Sequence, residues 1–159
     1  MLVRPLGVLC AIALLGGCSG TTSLHPFGGA YNLLTVDGLP DPQPLVPGVV
    51  SPELLGGTMN VGADTLDVTL SLQPVDDAGR PTGDIAPMMI DLPYARRGDS
   101  LYFASDTLAF TDSLYVGPKP QAFGALLGST VRLSLSFTIS TATGFGYSHV
   151  RQLLFAPAQ

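Results

Sequence analysis

The sequence predicts an all-β domain of about eight antiparallel strands, and three observations carry that reading. In the first, Leu66, Val68, Leu70 and Leu72 alternate with Thr65, Asp67, Thr69, Ser71 and Gln73. In the second, Val131, Leu133, Leu135, Phe137 and Ile139 alternate with Arg132, Ser134, Ser136, Thr138 and Ser140. A period of two places all apolar side chains on one face of an extended chain, whereas a helix would scatter them around its circumference. The third is compositional: the chain carries 19 Gly and 14 Pro, and nothing after residue 18 repeats at helical spacing. Each strand therefore has one wet and one buried face, the pattern of an antiparallel sheet.

Weaker segments of the same kind fill the interval. Ala30 to Val36 reads as a first strand and Thr58 to Val61 as a short one. Met88, Ile90, Leu92 and Tyr94 alternate, with Pro93 marking an edge or a bulge because it lacks an N–H. Leu101 with Phe103, Leu108 with Phe110, and Phe145 to Phe155 complete the set. Turn chemistry separates them at Gly62-Ala63-Asp64, Asp76 to Asp84, Gly98-Asp99, Ser105-Asp106, Gly117-Pro118, Gly128 and Gly144. A closed up-and-down barrel and a two-sheet β-sandwich both satisfy this pattern. Consecutive strands joined by short turns favour the barrel, since closure removes the unpaired edges of an open meander. Spanning a membrane would need strands of roughly 9–11 residues, a length that few segments reach.

The first residues read as a targeting segment instead of folded structure. Arg4 supplies a positive start, and Leu6 to Leu15 is an apolar run broken only by Gly7, too short to span about 30 Å of hydrocarbon. The run ends in Leu15-Gly16-Gly17-Cys18, which resembles the lipobox of bacterial lipoproteins. That resemblance implies that the Cys18 thiol takes a diacylglycerol, that the signal is removed, and that Cys18 becomes the N-terminus. The expected organisation is a signal peptide over 1–17, a lipidated tether over 18–28 and a single β domain over 29–157. By the same resemblance, Ser19 in place of Asp leans the sorting toward the outer membrane. The membrane is then reached through covalent lipid, where two or three acyl chains hold far better than one.

A second resemblance lies in Tyr31-Asn32-Leu33-Leu34-Thr35-Val36-Asp37-Gly38-Leu39-Pro40, similar to the opening of small lipocalin-like or META-type bacterial lipoproteins. It implies a small barrel whose first strand ends in a tight Asp-Gly turn. The chain lacks the tryptophan of true lipocalins, and a proline-rich stretch from Pro40 to Pro52 follows the turn.

Composition excludes several function classes. With Cys10 in the signal and Cys18 lipidated, the domain has no thiol for a disulfide, a nucleophile or a metal. Loss of Arg4 takes the formal charge from −5 to −6, because all twelve acidic residues follow Cys18. No basic patch is available for nucleic acid. Two histidines and 12% charged residues offer little for catalysis, so no catalytic residue, no metal ligand and no cofactor is expected. His25 falls in the tether. His149 and Arg151 share a face with Tyr147, Leu153 and Phe155, and form the one candidate ligand-binding pair, with Arg151 as the fork for a carboxylate. The competing and favoured reading turns Val150 and Leu154 inward and leaves His149 and Arg151 in water. Arg97-Gly98-Asp99 reads as a hairpin turn and Asp76-Asp77 as a solvated loop, while Asp112 is explained by a turn or bulge. Ser148 and His149 are adjacent on a strand and point to opposite faces, so they form no nucleophile-base pair. The expected partners are the membrane and either a small apolar ligand held by the barrel or, in a sandwich, another envelope protein docked on loops such as Pro40 to Pro52 or Gly117 to Pro120.

Overall fold

The computed structural model describes residues 27–103, 108–109, 114–118, 123–140 and 146–159. The strands are β1 (Gly29–Val36), β2 (Gln43–Pro44), β3 (Glu53–Val61), β4 (Thr65–Gln73), β5 (Ala86–Arg97) and β6 (Ser100–Phe103). There follow β7 (Leu108–Ala109), β8 (Leu114–Pro118), β9 (Phe123–Leu127), β10 (Thr130–Ser140) and β11 (Gly146–Pro157). Eight of them, β1, β3, β4, β5, β6, β9, β10 and β11, pair with their neighbours in chain order, and β11 returns to β1 to close the circle. The fold is thus an antiparallel up-and-down β-barrel, and the sandwich alternative is corrected: with β1 paired to both β3 and β11, one continuous ladder leaves no second sheet.

The alternation read from the sequence is realised in burial. Leu66, Val68 and Leu70 on β4, and Val131, Leu133, Leu135 and Phe137 on β10, are all enclosed, joined by Ile90, Leu101, Leu153 and Phe155. Full burial of such a side chain contributes about 1.5–3 kcal/mol. The interior is therefore a packed core built from every wall of the barrel.

Three elements escaped the sequence reading. β3 begins at Glu53 instead of Thr58, because Gly56-Gly57 looks like a break but forms a bulge between Leu54 and Gly56 in the ladder with β4. A side chain at Gly57 would place its Cβ 2.8 Å from both the Thr69 carbonyl oxygen and Leu70 Cδ2. β9 carries too short an alternation to stand out, yet it pairs with β6 and with the first residues of β10. Gly117-Pro118 is not a turn: both residues belong to β8, paired with Ser136 and Leu135 of β10. The same edge of β10 thus serves β9 first and β8 farther along.

Pro93 sits where a missing N–H does least harm. Tyr94 donates its N–H to the Asp64 carbonyl on the β4 side, so the nitrogen of Pro93 faces the other edge, where pairing with β6 starts only at Tyr94. Arg97-Gly98-Asp99 spans the two-residue turn between β5 and β6, as its chemistry predicts. Asp112, Ser105-Asp106 and Gly144 lie outside the described residues.

The two poles differ. One holds the turns at 62–64, 98–99 and 128–129, the C-terminus and the entry to β1. Here Phe27 packs edge-on against Tyr94 at 5.7 Å with the Arg96 guanidinium 5.2 Å from the Phe27 ring centre, so residues ahead of β1 also pack on the barrel. The other pole is covered by residues 40–52. Gly57→Ala is expected to destabilise the barrel by about 1–3 kcal/mol, because the bulged backbone has no room for a methyl group. A lowered denaturation midpoint with unchanged slope is the measurement that checks it.

Candidate functional site

β1 ends in a two-residue turn, Asp37-Gly38, with both residues at positive φ (52° and 81°), the conformation that an Asp-Gly pair adopts at least cost. Val36 and Leu39 exchange backbone hydrogen bonds of 2.8 and 2.9 Å across it. The turn aims the Asp37 carboxylate at β11. Its Oδ1 accepts from the Gln152 N–H at 2.7 Å, and its Oδ2 accepts from the Arg151 guanidinium in an ion pair.

Arg151 is only 5% exposed. Its Nε donates to the Leu45 carbonyl at 3.2 Å, and a terminal nitrogen donates to the carbonyl of Pro44. All three guanidinium nitrogens are thereby engaged, one with Asp37 and two with the backbone of the 40–52 segment. The segment is a lid pinned from below. Leu45 and Val46 enter the core, and Ser51 Oγ both donates to the Val46 carbonyl and accepts from the Val46 N–H, each at 3.0 Å.

This geometry corrects the favoured reading of the last strand. Arg151 faces inward with Leu153 and Phe155, while Leu154 is only partly covered, so the face carrying Arg151 is the buried one at this height. His149 lies on the same strand opposite Phe137 of β10, and it is exposed. The two residues proposed as a ligand-binding pair therefore separate. Arg151 spends its donors on the fold, and His149 stands in solvent beyond it. Asp37 is the partner that sequence reasoning missed, because its turn chemistry accounted for it fully and 114 residues separate it from Arg151.

Other acidic groups have local roles. Asp76 Oδ1 accepts from the N–H groups of Ala78 and Arg80, each at 2.9 Å, and Oδ2 meets the Arg80 guanidinium at 2.7 and 2.8 Å. The Arg80 side chain holds the Asp76 carboxyl below the usual carboxylate range. The loop satisfies its own carboxylate. Asp41, in the lid, has a buried Oδ1 without a hydrogen-bond partner among the described residues, and burial pushes its carboxyl above the ordinary range. Among the described residues no three His, Cys, Asp or Glu side chains converge as a metal-ligand set.

A second concave feature lies on the outer wall. Thr35 of β1, Leu154 of β11 and Arg132 of β10 stand side by side in register. With Gln152, Leu127 and the Asp37-Gly38 turn they line a groove of about 430 Å³. Comparison with protein-family models, with curated proteins and with solved structures yielded no match for this chain.

Two outcomes follow. Arg151→Met is expected to lose about 3 kcal/mol and to loosen residues 40–52, because Asp37 and two lid carbonyls lose their donor together. Amide hydrogen exchange at Leu45, measured beside a denaturation curve, checks both parts. Asp41→Asn is expected to raise stability at pH 7, where the wild-type carboxylate is charged and poorly solvated. Because the folded-state pKa is raised, wild type regains that stability as pH falls through it, so the advantage of the variant shrinks in acid. Denaturation midpoints at pH 7 and pH 3 test this sign.

Proposed function

We propose that this protein is a lipid-anchored component of a bacterial cell envelope that works by binding through its outer surface, without catalysing a reaction. The observation that carries the reading is the attachment of a Leu15-Gly16-Gly17-Cys18 segment to a closed barrel whose interior is already filled. Phe27 lies nine residues past Cys18, which allows a reach of at most about 30 Å in extended chain. A short tether of this kind keeps the pole around Phe27 and Arg96 toward the lipid and the 40–52 lid away from it.

The filled interior directs any partner to the wall and the loops. Phe137, Phe155, Leu133, Leu135 and Leu153 occupy the space in which other eight-stranded barrels hold a small ligand. A small molecule would then meet an outer groove, and an envelope protein would meet the rigid lid, whose ordering is already achieved before contact. The absence of an enzymatic role is supported by the engagement of Arg151 with Asp37 and of Arg80 with Asp76, which leaves those charged pairs committed to structure. In this reading Ser19, in place of Asp, leans the sorting of the anchored protein toward the outer membrane.

Metabolic labelling with palmitate is the test. Wild-type protein is expected to incorporate label and to fractionate with membranes, and Cys18→Ala to do neither. Unlabelled wild-type protein in the soluble fraction would overturn the anchor.

A further inference from the structure

We propose that the groove across β1, β11 and β10 binds a small amphiphile carrying a carboxylate, with Arg132 as the partner of the anion. The inference deepens the reading of the protein as a surface binder and rests on it.

Three features of the groove point to that ligand. Arg132 is exposed and has no ion pair among the described residues, whereas Arg80 and Arg151 each hold a carboxylate. Its guanidinium is therefore free to take a carboxylate in the two-pronged geometry that favours arginine over lysine. The Thr35 hydroxyl and the Gln152 amide, also unpartnered among the described residues, line the same groove and supply further donors. Finally, Leu154 and Leu127 provide apolar surface, Leu127 being 46% exposed. On the outer wall of an antiparallel barrel these positions are ordinarily polar, so two leucines beside a free arginine match a molecule with one anionic and one apolar end.

The one acidic group on the rim does not oppose this. Asp37 is neutralised by Arg151 and its second oxygen is held by the Gln152 N–H, so its charge is compensated before any ligand arrives. The floor is also fixed in place. Thr35, Leu154 and Arg132 project from three adjacent strands, the central one, β11, pairing with both β1 and β10, a better support for a site than loops. A volume of about 430 Å³ suits a molecule of small-ligand size.

The test uses the full-length protein as isolated from its host, in phosphatidylcholine nanodiscs if it carries lipid and in buffer if it does not, with 4-phenylbutyrate as the probe and protein-free samples to subtract partitioning. Saturable binding is expected. Arg132→Gln, and exchange of the probe for 4-phenylbutan-1-ol, should each weaken it about tenfold or more, the scale of one charge-assisted hydrogen-bonded pair. Arg132 lies on the surface, so its replacement leaves folding intact, which the denaturation midpoint verifies. No saturable binding, or equal binding by R132Q and wild type, overturns the groove. Palmitate labelling reads the anchor independently, so labelled protein without probe binding defeats the groove alone, and unlabelled protein defeats the anchor alone.

Discussion

The contact on which the rest of the lid pole depends is the ion pair between Arg151 and Asp37. A guanidinium withdrawn from water is costly unless its charge is balanced and its donors are used. Here the charge is balanced by a turn at the end of the first strand, and the remaining donors are taken by two carbonyls of the proline-rich segment. One side chain thus ties together the start of the barrel, its last strand and the cap over its open end. Since the participating residues lie more than a hundred positions apart in sequence, the pair can form only when β11 has docked on β1.

Closure of the barrel creates the site of that pair. Each strand delivers its alternate side chains to a common interior, and the ladder between β11 and β1 removes the last two free edges. The interior is then too crowded with leucine and phenylalanine to serve as a ligand chamber, and the same crowding makes the core sensitive to the backbone at Gly57. Proline in the lid narrows the conformations open to residues 40–52 before Arg151 fixes them. Rigidity of the lid and solidity of the core have the same origin, which is dense packing within a small closed circuit.

For function, the consequence of the filled interior is that the surfaces left to a partner are the outer wall and the loops. The fold class invites a carrier reading, but fold alone does not determine function. What distinguishes the outer wall is Arg132, without an ion pair among the described residues, beside two leucines on adjacent paired strands. What distinguishes the poles is that at one the chain enters β1 past the Phe27–Tyr94 contact, while the other carries the pinned lid.

The strands of this protein were legible because alternation is a local property. Leu66 to Leu72 and Val131 to Ile139 announce a wet face and a dry face without reference to any other part of the chain, and Asp37-Gly38 announces a tight turn in the same way. The lipobox reading of Cys18 is likewise contained in a few contiguous residues. The bulge at Gly56-Gly57 was hidden, since two glycines in a row look like a break until the β4 backbone is seen 2.8 Å from where a side chain would be. The burial of Leu45 and Val46 was hidden too, because a proline-rich stretch has no period to read. Which face of β11 turns inward was undecidable locally, as Arg151 and Leu154 lie on opposite faces and either could be buried. The tertiary structure decided it by bringing Asp37 and two carbonyls to Arg151, for a charge can be buried only where distant parts of the chain supply its partners.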